Sequence, residues 1–104
     1  MEERLAIAID ARNLSIKFNI DSMTIWCNRN LSSIYPAIGD YESFKKTNYE
    51  NLELASRLKD TLVLGLANSN LGLYYFYYYD KQNDSAYYYY TKAFKYFNGR
   101  QFDS

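Results

Sequence analysis

Residues 70–97 read NLGLYYFYYYDKQNDSAYYYYTKAFKYF, and this stretch decides the fold. Leu71-Gly72 with Tyr75 spells L-G-x-x-Y, Ala86 with Tyr90 spells A-x-x-x-aromatic, and Ala93 stands seven residues after Ala86. Leu71, Tyr75 and Tyr78 step by four and three, and Ala86, Tyr90, Ala93 and Phe97 do the same, which is a helical period. The polar run 80–85 separates two helices that fold back on each other. Such a pair closes to roughly 8–10 Å only where the crossing carries small side chains. Gly72, Ala86 and Ala93 supply them, while Leu71, Tyr75 and Tyr90 fill the space around the crossing. Tyrosine runs without proline also suit strands, and are an aggregation hazard in an unfolded chain. Here the helical period overrides that preference.

The pattern recurs upstream. Asn28, Asn30, Leu31 and Tyr35 match Asn68, Asn70, Leu71 and Tyr75 at a constant offset of 40, and Asp21-Ser22 matches Asp60-Thr61 at 39. Gly39-Asp40-Tyr41-Glu42 marks a turn after the first copy. The L-G-x-x-Y and A-x-x-x-aromatic order, the G-D-Y-E turn and the fixed period together resemble tetratricopeptide-repeat (TPR) proteins, in a longer variety of roughly forty residues per repeat. The resemblance implies an all-α solenoid of antiparallel helix pairs with five helices in one domain. Residues 1–20 form a half repeat or cap helix, 21–60 and 61–98 two repeats, and 99–104 a frayed tail.

Taken in order, residues 2–18 carry Leu5, Ala8, Ile9, Arg12 and Ile16 at helical steps. Asp21-Ser22 offers an N-cap for a helix from 23 to about 38, which Pro36 bends or ends near Tyr35 and Gly39 terminates. A helix over 41–58 follows, with Phe44, Leu52, Ala55 and Leu58 inward and Lys45, Lys46, Glu50 and Glu53 outward. Phe44 occupies the slot where the resemblance implies Ala, so the first pair is expected to cross more loosely than the second. Asp60-Thr61 caps a helix over 62–79, in which Gly65 and Gly72 each cost roughly 1 kcal/mol relative to Ala. The last helix covers about 84–97, with Asn98-Gly99 as its stop.

Composition narrows the function. Twelve basic against twelve acidic residues leave no net field to draw phosphate backbones or anionic lipid. Histidine is absent and Cys27 is the single cysteine, so a nucleophile lacks its usual base and zinc its commonest ligands. No paired carboxylates stand out for acid–base catalysis. The reading is a non-enzyme without catalytic residues, cofactor or metal. The amino terminus carries charges where a signal peptide has its apolar stretch. Residues 62–79 are apolar enough to raise a membrane span, but Asn68, Ser69 and Asn70 would sit at its centre. A cytoplasmic protein with no nucleic-acid or membrane partner is expected.

What remains is binding. In TPR proteins the first helix of each pair lines a concave surface, and the resemblance implies that Asn30 and Asn70 form a ladder there. An amide has a donor and an acceptor, which suits the alternating N–H and C=O of an extended peptide; the same amides serve equally to bond helix ends or water. Arg29 beside Asn30 suits a ligand carboxylate. Trp26, Ser33, Leu73, Phe76 and Tyr77 project to the same side, the aromatics as rigid anchors or as packing against the next repeat. The expectation is a protein–protein interaction module that takes a peptide or partner segment. The alternative is a self-assembling homo-oligomer joined through terminal helices, or a spacer or sensor piece of a larger TPR regulator without a peptide ligand of its own.

Overall fold

The computed structural model describes residues 2–78 and 82–103, with side chains placed for 3–78 and 82–98. It contains five α-helices: α1 (Glu2–Lys17), α2 (Asp21–Ile34), α3 (Tyr41–Leu58), α4 (Thr61–Leu73) and α5 (Asn83–Asp103). A 3₁₀ turn (Pro36–Ile38) follows α2, and a π-helical turn (Tyr74–Tyr78) follows α4. No residue among those described is in a strand. The main contacts join sequence neighbours, α1 with α2, α2 with α3, α3 with α4 and α4 with α5, and the last is the most extensive. The result is a slab of 35 × 34 × 18 Å. Its radius of gyration of 13.9 Å exceeds the roughly 13 Å of a rounder domain this long.

The turns show why the chain reverses where it does. Asn19 (φ 57°) and Lys59 (φ 55°), forty residues apart, both adopt the left-handed conformation. Behind each, the next amide reaches back into the helix end: Ile20 N donates to Ser15 O at 2.8 Å and Asp60 N to Ala55 O at 2.9 Å. This closure satisfies carbonyls that a helix end leaves open. Gly39 (φ 78°) ends the 3₁₀ turn in the same way, with Asp40 N on Tyr35 O at 2.9 Å. Asp40 then caps α3 by accepting from Ser43 N, and Asp60 caps α4 by accepting from Val63 N, both at 3.1 Å.

Several expectations need correction. Asp21-Ser22 does not cap α2: Ile20 holds the cap position with no side-chain bond, and Asp21 instead pairs with Arg57 at 3.3 Å. Leu58, expected to face inward, is 47 % exposed at the last residue of α3, one turn beyond buried Leu54 and Ala55. The α-helical bonding of α4 stops at Leu73, where the wider turn begins. Finally, α5 does not stop at Asn98-Gly99 but keeps helical bonding to Asp103. A glycine permits a stop and does not compel one, since it costs a helix only about 1 kcal/mol. Of the turn read at 80–85, residues 80 and 81 lie outside the described residues.

The core follows the crossings. Ile25, Leu54, Ala55, Val63 and Leu64 form one buried cluster across α2, α3 and α4, with Leu52 and Tyr96 against it. At the other end of the helices Leu31, Ile34, Phe44, Leu71 and Tyr74 are buried, and Ala86 and Ala93 hold the inner face of α5. Gly72 and Gly65 lie under the rings of Tyr90 and Phe97: a β-carbon on either would stand 2.7 or 2.6 Å from ring carbon. Both glycines and both rings are seven residues apart, so the crossing is used twice. The first helix pair meets the same need differently, for Ser32 and Asn48 occupy the places of Gly72 and Tyr90 and are joined by a hydrogen bond of 3.1 Å.

Candidate partner-binding surface

The π-helical turn gathers the tyrosines. Buried Tyr74 donates to Glu42 Oε1 at 2.9 Å, and the Lys45 ammonium lies 5.4 Å from its ring centre. The bond from Tyr74 and a second from Lys45 hold the Glu42 carboxyl below its usual range. Tyr78 stacks on Tyr41 at 4.3 Å and meets Phe44 edge-on. Tyr75 stacks on Tyr89, and the hydroxyls of both lie 2.8 Å from that of Tyr49. Desolvation first, then these two hydrogen bonds, raise the Tyr49 phenol far above its ordinary value. These rings tie α3, the π turn and α5 together.

A second polar assembly joins α1, α2 and α3. The Arg12 guanidinium grips Glu50 with Nη2 at 2.9 and 2.7 Å from the two carboxylate oxygens, while its Nε donates to Asn28 Oδ1 at 3.2 Å. Asn28, fully buried, donates through Nδ2 to Glu50 Oε1 and to Asn51 Oδ1 at 2.7 and 3.0 Å. Glu50, read from the sequence as outward, is therefore drawn into the packing. The sequence did carry one sign of this, since Arg12 falls on the inward period of its helix. Asn68, the counterpart of Asn28, is as deeply buried but among the described residues bonds only to Leu64 O at 2.8 Å, with no partner there for Oδ1. Leu52 stands where the forty-residue spacing would put another Arg12, and Thr91 where it would put another Asn51.

The residues singled out for binding divide. Trp26 (59 % exposed) and Tyr77 (67 %) present their rings to solvent, Arg29 is exposed, and Leu73 is half-buried. Asn30 donates to Trp26 O at 3.0 Å and Ser33 to Asn30 O at 2.8 Å, both within α2. Asn70 donates across to Asn48 Oδ1 at 3.0 Å. Thus both ladder amides spend their N–H on the protein, and each Oδ1 is without a partner among the described residues. Arg29 and Asn70 share a groove of about 200 Å³ between α2, α3 and α4; Trp26 and Asn30 share one of equal size between α1 and α2. Ser33, Leu73 and Tyr77 line neither.

The two grooves are copies. Ala8 and Ala11 on α1 stand forty residues before Asn48 and Asn51 on α3, and Trp26, Cys27 and Asn30 on α2 stand forty before Leu66, Ala67 and Asn70 on α4. No family model, curated protein or solved structure matches this chain.

For chemistry the surface offers little. Cys27 is 1 % exposed, and burial pushes its thiol up, away from the reactive thiolate. Among the described residues no group of acidic and cysteine side chains is arranged to hold a metal ion, and no helix is long and apolar enough to cross a membrane.

Proposed function

We propose that the chain is a short TPR-like array, a non-catalytic module that receives a peptide or partner segment on the face made by α2 and α4. The observation that carries this is the recurrence of backbone and grooves at the same forty-residue offset: left-handed Asn19 and Lys59, the closures behind them, and the paired grooves. In such an arrangement α2 and α4 are like members of successive pairs, and Asn30 and Asn70 take like places on them. Their free Oδ1 atoms are acceptors for the N–H groups of an extended segment, with Arg29 beside them for a carboxylate and Trp26 and Tyr77 as anchors. A lone buried cysteine suits a reducing, cytoplasmic setting.

A second reading has its own support. The outer face of α5 exposes Tyr87 (74 %) and Phe94 (66 %), and α1 with the turn after it exposes Ile7 (68 %) and Phe18 (63 %), so self-association through the terminal helices would cover apolar surface. Capture of partners on the immobilised protein, read by mass spectrometry, separates the two when repeated with Asn30→Ala plus Arg29→Ala. Loss of a captured partner at unchanged melting temperature supports the face; unchanged capture refutes it. A protein that sediments as an oligomer at micromolar concentration, and returns to monomer on Phe94→Glu, favours the second reading.

A further inference from the structure

We propose that the groove between α1 and α2 is the seat of an amphipathic helix from a partner protein, apolar along the stripe that meets Ala8 and Ala11 and acidic along the flank that meets Arg4 and Arg29. The proposal rests on the partner-binding reading above and shares Trp26, Arg29 and Asn30 with it, but seats a different form of ligand on the α1 side of these residues.

The molecule itself shows what walls such a groove. In the copy forty residues on, α2 packs along the α3 side and adds Arg29 and Ser32 to the lining: Asn28 donates into Asn51 Oδ1, Asn51 donates to Ile25 O at 3.3 Å, and Ser32 Oγ accepts from Asn48. The contacts come from residues 25, 28 and 32, a spacing of i, i+3, i+7 along one helix face. The groove between α1 and α2 thus repeats one side of an interface already present in the fold, and a helix set against Ala8 and Ala11 would wall it as α2 walls the copy.

Its lining says how that helix differs from α2. Ala8 and Ala11 replace Asn48 and Asn51, so nothing there offers the amides that meet Asn28 and Ser32. A polar side chain buried against these methyls would lose its hydrogen bonds, whereas a bulky apolar one fills the space left by the shorter residues. Small residues receive large ones in this protein elsewhere, as Gly65 and Gly72 receive Phe97 and Tyr90. Exposed Ile7 and Trp26 flank the opening and gain cover when it is filled.

Charge selects the partner. Arg4 lines the groove, and Arg29 lies beside Trp26 and Asn30 on its rim. Neither forms an ion pair among the described residues, unlike Arg12 and Arg57. Two uncompensated guanidinium groups favour carboxylates and repel cations. A second copy of the chain is thereby disfavoured as the occupant, because the exposed aromatic face of α5 carries Lys92 and Lys95.

The test uses the whole chain and two synthetic helical peptides, both with leucines at i, i+3 and i+7, one flanked by glutamates and the other by lysines. Trp26 is the single tryptophan, so its fluorescence reports filling of the groove. The glutamate peptide is expected to bind with a blue shift of Trp26, and about tenfold more tightly than the lysine peptide. Arg4→Glu and Ala11→Glu, each checked for unchanged helical circular dichroism, should abolish that preference or the binding. Equal affinity for the two peptides, or binding indifferent to Ala11→Glu, overturns the proposal. So does concentration-dependent self-association that Arg4→Glu strengthens, which would make a second copy the occupant. Leu73→Glu and Tyr77→Glu distinguish the readings: they disturb a segment lying on α2 and α4 and leave the α1–α2 groove intact.

Discussion

Gly72 lies beneath the ring of Tyr90, and a β-carbon on it would stand 2.7 Å from Cδ1 and 3.0 Å from Cγ of that ring. The base of a ring moves only if χ1 leaves its rotamer well or the backbone shifts. At Gly65 the nearest atoms are Cε1 and Cζ of Phe97, the far end of a side chain that is 36 % exposed. Replacing either glycine by alanine gains roughly 1 kcal/mol in helix propensity, while overpacking costs about 1–3 kcal/mol where the neighbour cannot yield. Gly72→Ala should therefore destabilise the chain by up to about 2 kcal/mol net, and Gly65→Ala should be near neutral, as measured by denaturant unfolding. Tyr90→Leu combined with Gly72→Ala should recover part of the loss.

The two buried asparagines make unequal contributions. Asn28 joins Arg12, Glu50 and Asn51, and its removal leaves a partly buried charge pair and an amide short of partners. Asn28→Ala should cost about 2–3 kcal/mol. Asn68 makes one bond and carries an orphaned acceptor, whose desolvation already weighs against the folded state. Asn68→Ala should cost about 1 kcal/mol or less. Equal losses in thermal or denaturant unfolding would contradict the contrast drawn between the two.

Tyr49 sets an alkaline limit. Its phenol is raised above the ordinary value near pH 10 by desolvation and by the hydroxyls of Tyr75 and Tyr89. The unfolded chain therefore releases this proton at lower pH than the folded one, and the contribution of Tyr49 is complete below pH about 10 and lost as pH rises toward the folded value. The melting temperature should fall above pH 10, and Tyr49→Phe should flatten that decline while costing roughly 0.5–1 kcal/mol at neutral pH. A decline as steep in Tyr49→Phe as in the parent would show that other phenols govern it.

Much of the helix plan was legible because single residues punctuate it. Pro36 removes a donor and Gly39 takes a positive φ, so the end of α2 was readable; Asp40 and Asp60 cap as their short carboxylates allow. Asp21 has the same chemistry but found a competing partner in Arg57, thirty-six residues away, which no local pattern reveals. The π turn was hidden because a widened turn keeps the same residue types and alters only their hydrogen-bond register. On the surface, Asn28 and Asn30 recur together with Asn68 and Asn70, and the repeat alone does not say which member faces inward. The structure buries the first of each pair and leaves the second at the edge, its N–H turned to the protein.

The order of contacts, each helix chiefly against its neighbour in sequence, shapes how the molecule comes apart. No single boundary holds all five helices. Opening at either terminus releases one helix while the remainder keeps its neighbours, and α1 peels away more readily than α5, whose boundary with α4 is the most extensive. Folding runs back along the same route, assembled from contacts close in sequence, and needs no long search for distant partners.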